Sequence, residues 1–495
     1  MGRSDLRDFM AELASAGLLA RVAEPVSLVY EMTEIHRRVL AAKGPAILFE
    51  RPVDASGRAM NHPVLVNLFG TPRRVAMGLG LEEQQIAELG ETLAYLRNPE
   101  PTSTLRGALR RLPELRAALS MGTRRVSRPP AQYVVATAAE LDLGMLPIQW
   151  CWPEEPAPLI TWPLVITRDP EDAADINVGV YRMQVLGRDR LIVRWLPNRG
   201  AARHFARWRK RREDMPIAIA IGADPATMLA AAMPIPDGVS ELAFSGLLRR
   251  EKTGIAKAVS VDLPIPANAE FVLEGTVSHT DSADEGPYGD HTGYYNAVEP
   301  FPVVTLSAIT HRRDPVYVST FTGRPPDEPS VLAEALGGLF VPLVRRHFAE
   351  VRDVYFPSAA CSYRFAVVAI DKRYPGQARR VMLGLWSMLP QFMMTKTIIV
   401  VDAEDIDIRN WDDVLWAIST RFDPSRDLVL LDKTPIDYLD FASPLPGLGG
   451  KVGLDATGKI GAETTRPWGR VLGMSAEVVA RVDGMWSRLG LDATR

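Results

Sequence analysis

Cysteine is scarce. The chain of 495 residues holds only two, Cys151 and Cys361, too far apart for a CxxC metal or redox pair. They read as small core residues of a reducing compartment rather than as a disulfide framework. Long apolar runs are missing as well. Nothing approaches the ~18 uninterrupted apolar residues of a membrane span. The first residues, MGRSDLRDFM, bring acids early and no apolar stretch, so they do not read as a secretory signal. Excess charge is absent: 57 Lys and Arg against 60 Asp and Glu give a net charge of −3, which argues against a nucleic-acid partner. The seven histidines are scattered, with no pair at i, i+4 to hold a metal. GxGxxG after a strand, the P-loop and HExxH are also lacking, and PGLGGKVG (445–452) has neither P-loop spacing nor its Ser/Thr. A cytoplasmic enzyme of several domains is the expectation.

Periodicity then divides the chain. Leu6, Phe9, Met10, Leu13 and Leu18 have helical spacing after a Ser4 cap, and a second helix is predicted over 31–42. PAILFE (45–50) and PVLVNLF (63–69) read as buried strands. Helices follow at 81–96 and 105–120, joined by the linker NPEPTS. Residues 1–125 form one expected α/β domain. The next part is strand-rich, with β-branched runs at 159–167, 190–195, 216–222, 269–277, 301–309 and 316–321. That set predicts a barrel or sandwich over 126–325, interrupted by helices near 200–211 and 238–250. From 326 to 460 helix and strand alternate: helices at 330–347, 376–388 and 411–420, strands at 363–370, 396–402 and 427–431. This rhythm predicts a parallel sheet with crossover helices, ending in a Gly-rich loop (447–461). The tail, 461–495, carries an amphipathic helix at 475–489 suited to packing on a second copy of the chain.

Two segments could carry chemistry. INVGVYR (176–182) and RWLPNRG (194–200) place Arg182, Arg194 and Arg199 near strand ends, with Gly179 and Gly200 letting backbone amides approach a ligand. Arginines with accessible amides suit a phosphate. Ordinary surface arginines beside strands would look the same. DEGPYGDHTGY (284–294) sets three acids on a loop stiffened by glycine and proline. Such a loop suits general acid–base work, and a solvated acidic turn equally. Glu241 opens a helix, either as a partner of the helix dipole or, with the amide oxygen of Asn177, as a ligand of a hard cation.

Taken together, INVGVYR, RWLPNRGAA, GADPATMLAAAMPIPDGVSE, EGPYGDHTGYYN, TGRPPDEPSVL, TPIDYLDFASP and GLDAT resemble the UbiD family, the 3-polyprenyl-4-hydroxybenzoate decarboxylases of ubiquinone biosynthesis. NLFGTPRRVAMGLG and CWPEEPAPLITW belong to the same pattern, so the resemblance runs from about residue 4 to about residue 472. It implies a prenylated FMN, supplied by a separate flavin prenyltransferase and seated in a flavin-reductase-like split β-barrel. A divalent metal, usually Mn2+, bridges the flavin phosphate, with K+ nearby. Asn177 and Glu241 match the metal ligands. Val180, Tyr181, Arg182, Arg194, Trp195, Leu196, Arg199 and Gly200 match the cofactor contacts, and Lys396 is a weaker match for a phosphate contact. Arg182, Glu285 and Asp290 match the catalytic network, with Asp290 as proton donor. One departure is Asn198, where close relatives carry a metal-binding histidine.

The reaction implied is non-oxidative loss of carbon dioxide from a polyprenylated aromatic acid. Decarboxylating an aromatic ring leaves charge that no side chain can delocalise, so a cofactor must act as electron sink. Asp290 is expected to protonate the vacated carbon with its pKa raised by burial or by Glu285, while Arg182 pairs with Glu285. A homo-oligomer, a hexamer by resemblance, and peripheral contact with the inner membrane or a quinone-biosynthesis complex are also implied. An unprenylated 4-hydroxybenzoate-type acid is the alternative substrate, and a non-catalytic flavin-binding protein the alternative class.

Overall fold

A computed structural model describes residues 5–97, 117–197, 199–233, 235, 239–388 and 390–489. The expected linker 98–103, most of the helix expected over 105–120, the Ser4 cap and Asn198 lie outside the described residues. Helix Leu6–Ser15 starts at Asp5, whose side chain accepts from the Asp8 amide. Its Leu6, Phe9, Met10 and Leu13 face inward and are buried. They cover a four-stranded sheet ordered Leu19–Ser27, Ala46–Val53, Val64–Val66 and Tyr317–Val318. The last strand comes from the end of the expected barrel region and pairs parallel with Val64 and Leu65. It ties the first layer to the central one, and the two share one continuous apolar core.

The central element is a curled nine-stranded sheet. Its spine is the antiparallel pair Phe271–Glu285 and Glu299–His311, with a register shift between Val277 and Ser282 that bends the ribbon. The strand expected over 159–167 is two, Leu159–Ile160 and Leu164–Arg168, because Pro163 removes a ladder donor. Leu159–Ile160 lies at one end of the sheet order and Ile176–Val180 at the other, giving an open, split barrel.

The C-terminal sheet corrects two expectations. Its order is Val351–Tyr355, Phe365–Ile370, Thr397–Asp402, Leu448–Ala456, Leu428–Pro435. The inner three strands are parallel, as the alternation predicts, but both edge strands run antiparallel. The Gly-rich stretch 447–461 is largely not a loop, since Leu448–Ala456 is a sheet strand. Its Gly453 faces helix Gln377–Met388: a Cβ there would stand 2.5 Å from the Met382 sulfur, so a larger residue would force the Met382 side chain to move. The helix expected over 330–347 splits into Glu328–Gly337 and Val341–His347, separated at Gly338 and restarted with Pro342 in its first turn. Apolar clusters cover both faces of this sheet. Cys151 is buried as expected, whereas Cys361 is only half-buried. Past the sheet, helix Ala476–Asp483 and the turn Trp486–Leu489 leave Leu472, Met474 and Leu489 well exposed. Among the described residues no helix is long and apolar enough to cross a membrane.

Candidate active site

Arg182 sits in the two-residue gap between strands Ile176–Val180 and Met183–Val185. Its guanidinium is the hub of a buried network. Nε donates to Glu285 Oε1 (2.8 Å), Nη1 to Asp290 Oδ2 (2.8 Å), and Nη2 to Glu285 Oε2 (3.2 Å) and Asn296 Oδ1 (2.8 Å). The Tyr288 ring lies 5.5 Å below it. Arg194, directly after strand Arg190–Val193, adds a second cation 3.7 Å from Asp290 and 4.0 Å from Glu285. Glu285 is fully buried and ends a long strand; it does not lie in an acidic loop. Asp290 lies in a tight turn closed by the Asp290 amide on the Tyr294 carbonyl and the Gly293 amide on the Asp290 carbonyl. Gly293 takes φ +82°, a conformation few other residues adopt.

The electrostatics differ from the expectation for the proton donor. Burial pushes the Asp290 carboxyl up, but Arg182, the His291 imidazole and Arg194 outweigh it and hold the group well below the usual carboxylate range. Arg182 is not reserved for Glu285; it shares its fork between both acids. Asp290 therefore rests ionised. A buried carboxyl with the opposite bias lies next door. Glu155 accepts from the Cys151, Trp152 and Gly289 amides, and burial raises it to about 7.

The expected cofactor and metal residues gather at the far edge of the same sheet. The Tyr181 hydroxyl accepts from the Ala201 amide at the start of helix Gly200–Arg211, and Tyr181 and Trp195 meet edge to face at 6.2 Å. A Cβ on Gly200 would fall 2.0 Å from Asn177 Oδ1, so glycine there keeps the amide oxygen against the helix start. Glu241 begins helix Glu241–Arg249 and accepts from the Val178 amide at 2.8 Å. Burial pushes its carboxyl up to about 7, and among the described residues it has no salt-bridge partner. A buried carboxylate without a cation is costly. Together with the amide oxygen of Asn177, the chain neighbour of the Val178 it bonds, it has the chemistry to suit a hard divalent cation. Val180 and Arg199 are exposed and Leu196 half-buried on this rim. Lys396 is remote from these residues in sequence and pairs with Asp440 at 2.9 Å. Asp169, Asp175 and His204 also converge within 4.8 Å near Asn177, but Arg207 and Thr167 already engage Asp169 and His204.

Sequence reasoning singled out neither Asn296 nor His291 nor Asp437. Asn296 braces the hub, accepting from Arg182 and the Tyr288 amide and donating to Glu285. His291 bridges Asp290 and Asp437. All three lie inside the motifs EGPYGDHTGYYN and TPIDYLDFASP, so the signal was their presence in long motifs rather than any spacing.

Comparison with known proteins identifies the family. Three family models match in order: the 3-octaprenyl-4-hydroxybenzoate carboxy-lyase N-terminal domain over 10–93, the Rift-related domain over 124–325 and the C-terminal domain over 330–456. Among solved structures, the UbiD-class enzyme HmfF from Pelotomaculum thermopropionicum in complex with FMN is 27% identical with a TM-score of 0.79, covering 97% of this chain and 99% of that one. An evolved dimeric form of HmfF in complex with prFMN is 28% identical with a TM-score of 0.76, covering 94% and 96%. Vanillic acid decarboxylase from Sedimentibacter hydroxybenzoicus, in closed form, is 26% identical with a TM-score of 0.82, covering 98% and 99%. With all three domain models matched in order over a buried Arg182–Glu285–Asp290 hub, the chain belongs to the UbiD family of aromatic-acid carboxy-lyases.

Proposed function

We propose that the protein decarboxylates 3-polyprenyl-4-hydroxybenzoate to 2-polyprenylphenol for ubiquinone biosynthesis, with prenylated FMN as cofactor. The observation that carries the reading is the Arg182 fork on two buried acids beside a cavity. That cavity, about 150 Å³, is bounded by Arg194, Glu299, Tyr438, Leu439 and Phe441. Its volume suits one aromatic ring. When bound, the prenylated flavin supplies the electron sink that the departing carboxyl group requires. Val180, Tyr181, Arg182, Arg194, Trp195, Leu196, Arg199 and Gly200 would hold it. Asn177 and Glu241 would hold a divalent cation such as Mn2+ against its phosphate, with K+ close by. A flavin prenyltransferase supplies the cofactor, and a homo-oligomer, by resemblance a hexamer, is the working form.

The protein's own residues divide the remaining work. Arg194 orients an entering carboxylate at the cavity wall. An anionic substrate there draws on the cations that keep Asp290 ionised, so Asp290 takes up a proton only once substrate is bound. It then gives that proton to the vacated ring carbon, while Glu285 stays paired with Arg182. A single-ring cavity also favours a second reading, an unprenylated 4-hydroxybenzoate-type acid, since a long tail would have to leave it. The test is carbon dioxide release by protein co-expressed with a flavin prenyltransferase, from prenylated and unprenylated acids, with the extracted cofactor weighed by mass spectrometry. Faster turnover of the prenylated acid supports the proposal. Turnover of unprenylated acids alone replaces the substrate, and the absence of a prenylated flavin in active protein removes the proposal altogether.

Glu241→Ala is expected to lose metal and flavin together, with metal affinity down by at least ~10-fold. Elemental analysis and flavin absorbance of the purified variant check this. Stoichiometric flavin in the variant would take Glu241 out of the ligand set.

A further inference from the structure

His291 stands between the catalytic turn and the C-terminal domain. Its Nδ1 lies 2.8 Å from Asp290 Oδ1 and its Nε2 3.1 Å from Asp437 Oδ2. Both neighbours are carboxylate oxygens, which only accept, so this geometry is satisfied by an imidazolium donating from both nitrogens. Asp437 begins the segment 437–446 that joins strands Leu428–Pro435 and Leu448–Ala456. This segment is stiff. Asp437 accepts from the Leu439 amide, Asp440 from the Ala442 amide, and Arg364 reaches both acids at 3.0 and 3.6 Å. The same segment walls the cavity beside Arg194 with Tyr438, Leu439 and Phe441. It meets the barrel at two further points, Tyr438 on Glu299 and Phe441 against the Tyr294 ring at 5.8 Å.

We propose that His291 is a positioning residue for the decarboxylation: by bridging Asp290 to Asp437 it makes the setting of the catalytic acid depend on the docking of the 437–446 segment on the barrel. The inference rests on Asp290 being the proton donor. The His291 amide and Nδ1 together fix Asp290 Oδ1, leaving Oδ2 toward Arg182 and Arg194. An enzyme whose pocket wall has swung away then also loses the orientation of its acid.

The charges around His291 agree. Asp290 on its own turn and Asp437 across the interface hold its proton against burial, up to about 10, with Arg364 behind Asp437 and with Asp327 and Cys361 also within electrostatic reach. A cation raised in this way stabilises the docked state fully below its ordinary value of ~6.5 and loses that contribution as pH rises through the raised value.

The test compares full-length His291→Gln, Asp437→Asn, the double variant and Asp290→Asn. Each loaded single variant is expected to lose ~10-fold or more in kcat with KM within ~3-fold, and the double to be no slower than the slower single, because both break one bridge. In His291→Gln the basic limb of the kcat profile moves up by ~1 pH unit, since Asp290, which must be protonated to act, loses an adjacent cation. Flavin-free, 15N-histidine-labelled protein gives an independent readout: the His291 imidazole carries two N–H protons at pH 8, and titrates at lower pH in Asp437→Asn. A neutral His291 at pH 8 overturns the proposal. So does a smaller rate with an unshifted pH profile, or multiplicative effects in the double variant. If Asp290→Asn is fully active, the donor assignment fails instead. If Asp290→Asn is inactive and His291→Gln is unaffected, only the positioning role fails.

Discussion

Glu285→Gln and Asp290→Asn are each expected to slow decarboxylation by at least ~10²-fold, the scale of proton-transfer catalysis, while flavin content stays that of the unsubstituted protein. The two acids lie on opposite arms of one guanidinium, with Glu285 bidentate and Asp290 single-handed. Asn keeps the shape of Asp290 and an acceptor for Arg182 but has no proton to give. Gln at 285 keeps the size but removes a charge from Arg182, which then turns more of its fork to Asp290 and ties it more firmly as a carboxylate. Both changes lie away from Asn177, Glu241 and Gly200, so flavin retention is part of the expectation. Single-turnover carbon dioxide release and flavin absorbance on the same preparations check both halves. Full activity in both variants would discard the assignment.

Arg182→Met should cost stability as well as activity. Arg182 is nearly buried and serves Glu285, Asp290 and Asn296 at once. Removing one member of a buried ion network strands the others, at a cost of about 3–5 kcal/mol. Arg194, 3.7 Å from Asp290, offsets part of this, which places the expectation at the lower end. The pH dependence carries the sign. Asp290 is depressed in the folded protein, so its contribution is present above the ordinary Asp range and lost as pH falls below it. The stability gap between the unsubstituted protein and Arg182→Met should therefore narrow on acidification. Chemical denaturation at neutral and acidic pH measures it. A gap that widens toward low pH would contradict the stranded-charge account.

Much of this site could be read from the chain, and the limits of that reading have physical causes. Glycine and proline marked the loop of Glu285 and Asp290, and Arg182 lay near a strand end, but only the resemblance joined the three into one network. Pairing them needs the register of Phe271–Glu285 within the curled sheet, which local propensity does not encode. The expectation that Asp290 is raised failed for a related reason. Burial does push it up, but Arg182 from a strand gap, His291 from the turn and Arg194 from a strand end outweigh it, and only their distances decide the balance. The Gly-rich stretch misled in the opposite sense. Of the glycines that suggested a loop at 447–461, three lie within a sheet strand, and Gly453 among them faces the Met382 and Trp386 side chains of the covering helix.

By itself the sequence determined the chemical inventory and the rhythm of the elements. The spacing of Leu6, Phe9, Met10 and Leu13, the β-branched strands of the centre and the alternation after residue 326 are local, and local periodicity sets which face of each element is apolar. Tertiary structure alone decided which distant groups meet. Arg182 joins acids more than a hundred residues away, and His291 reaches Asp437 from another domain. Such contacts arise where buried charges must find partners once apolar faces have closed, a condition imposed by the packed interior and written in no single segment.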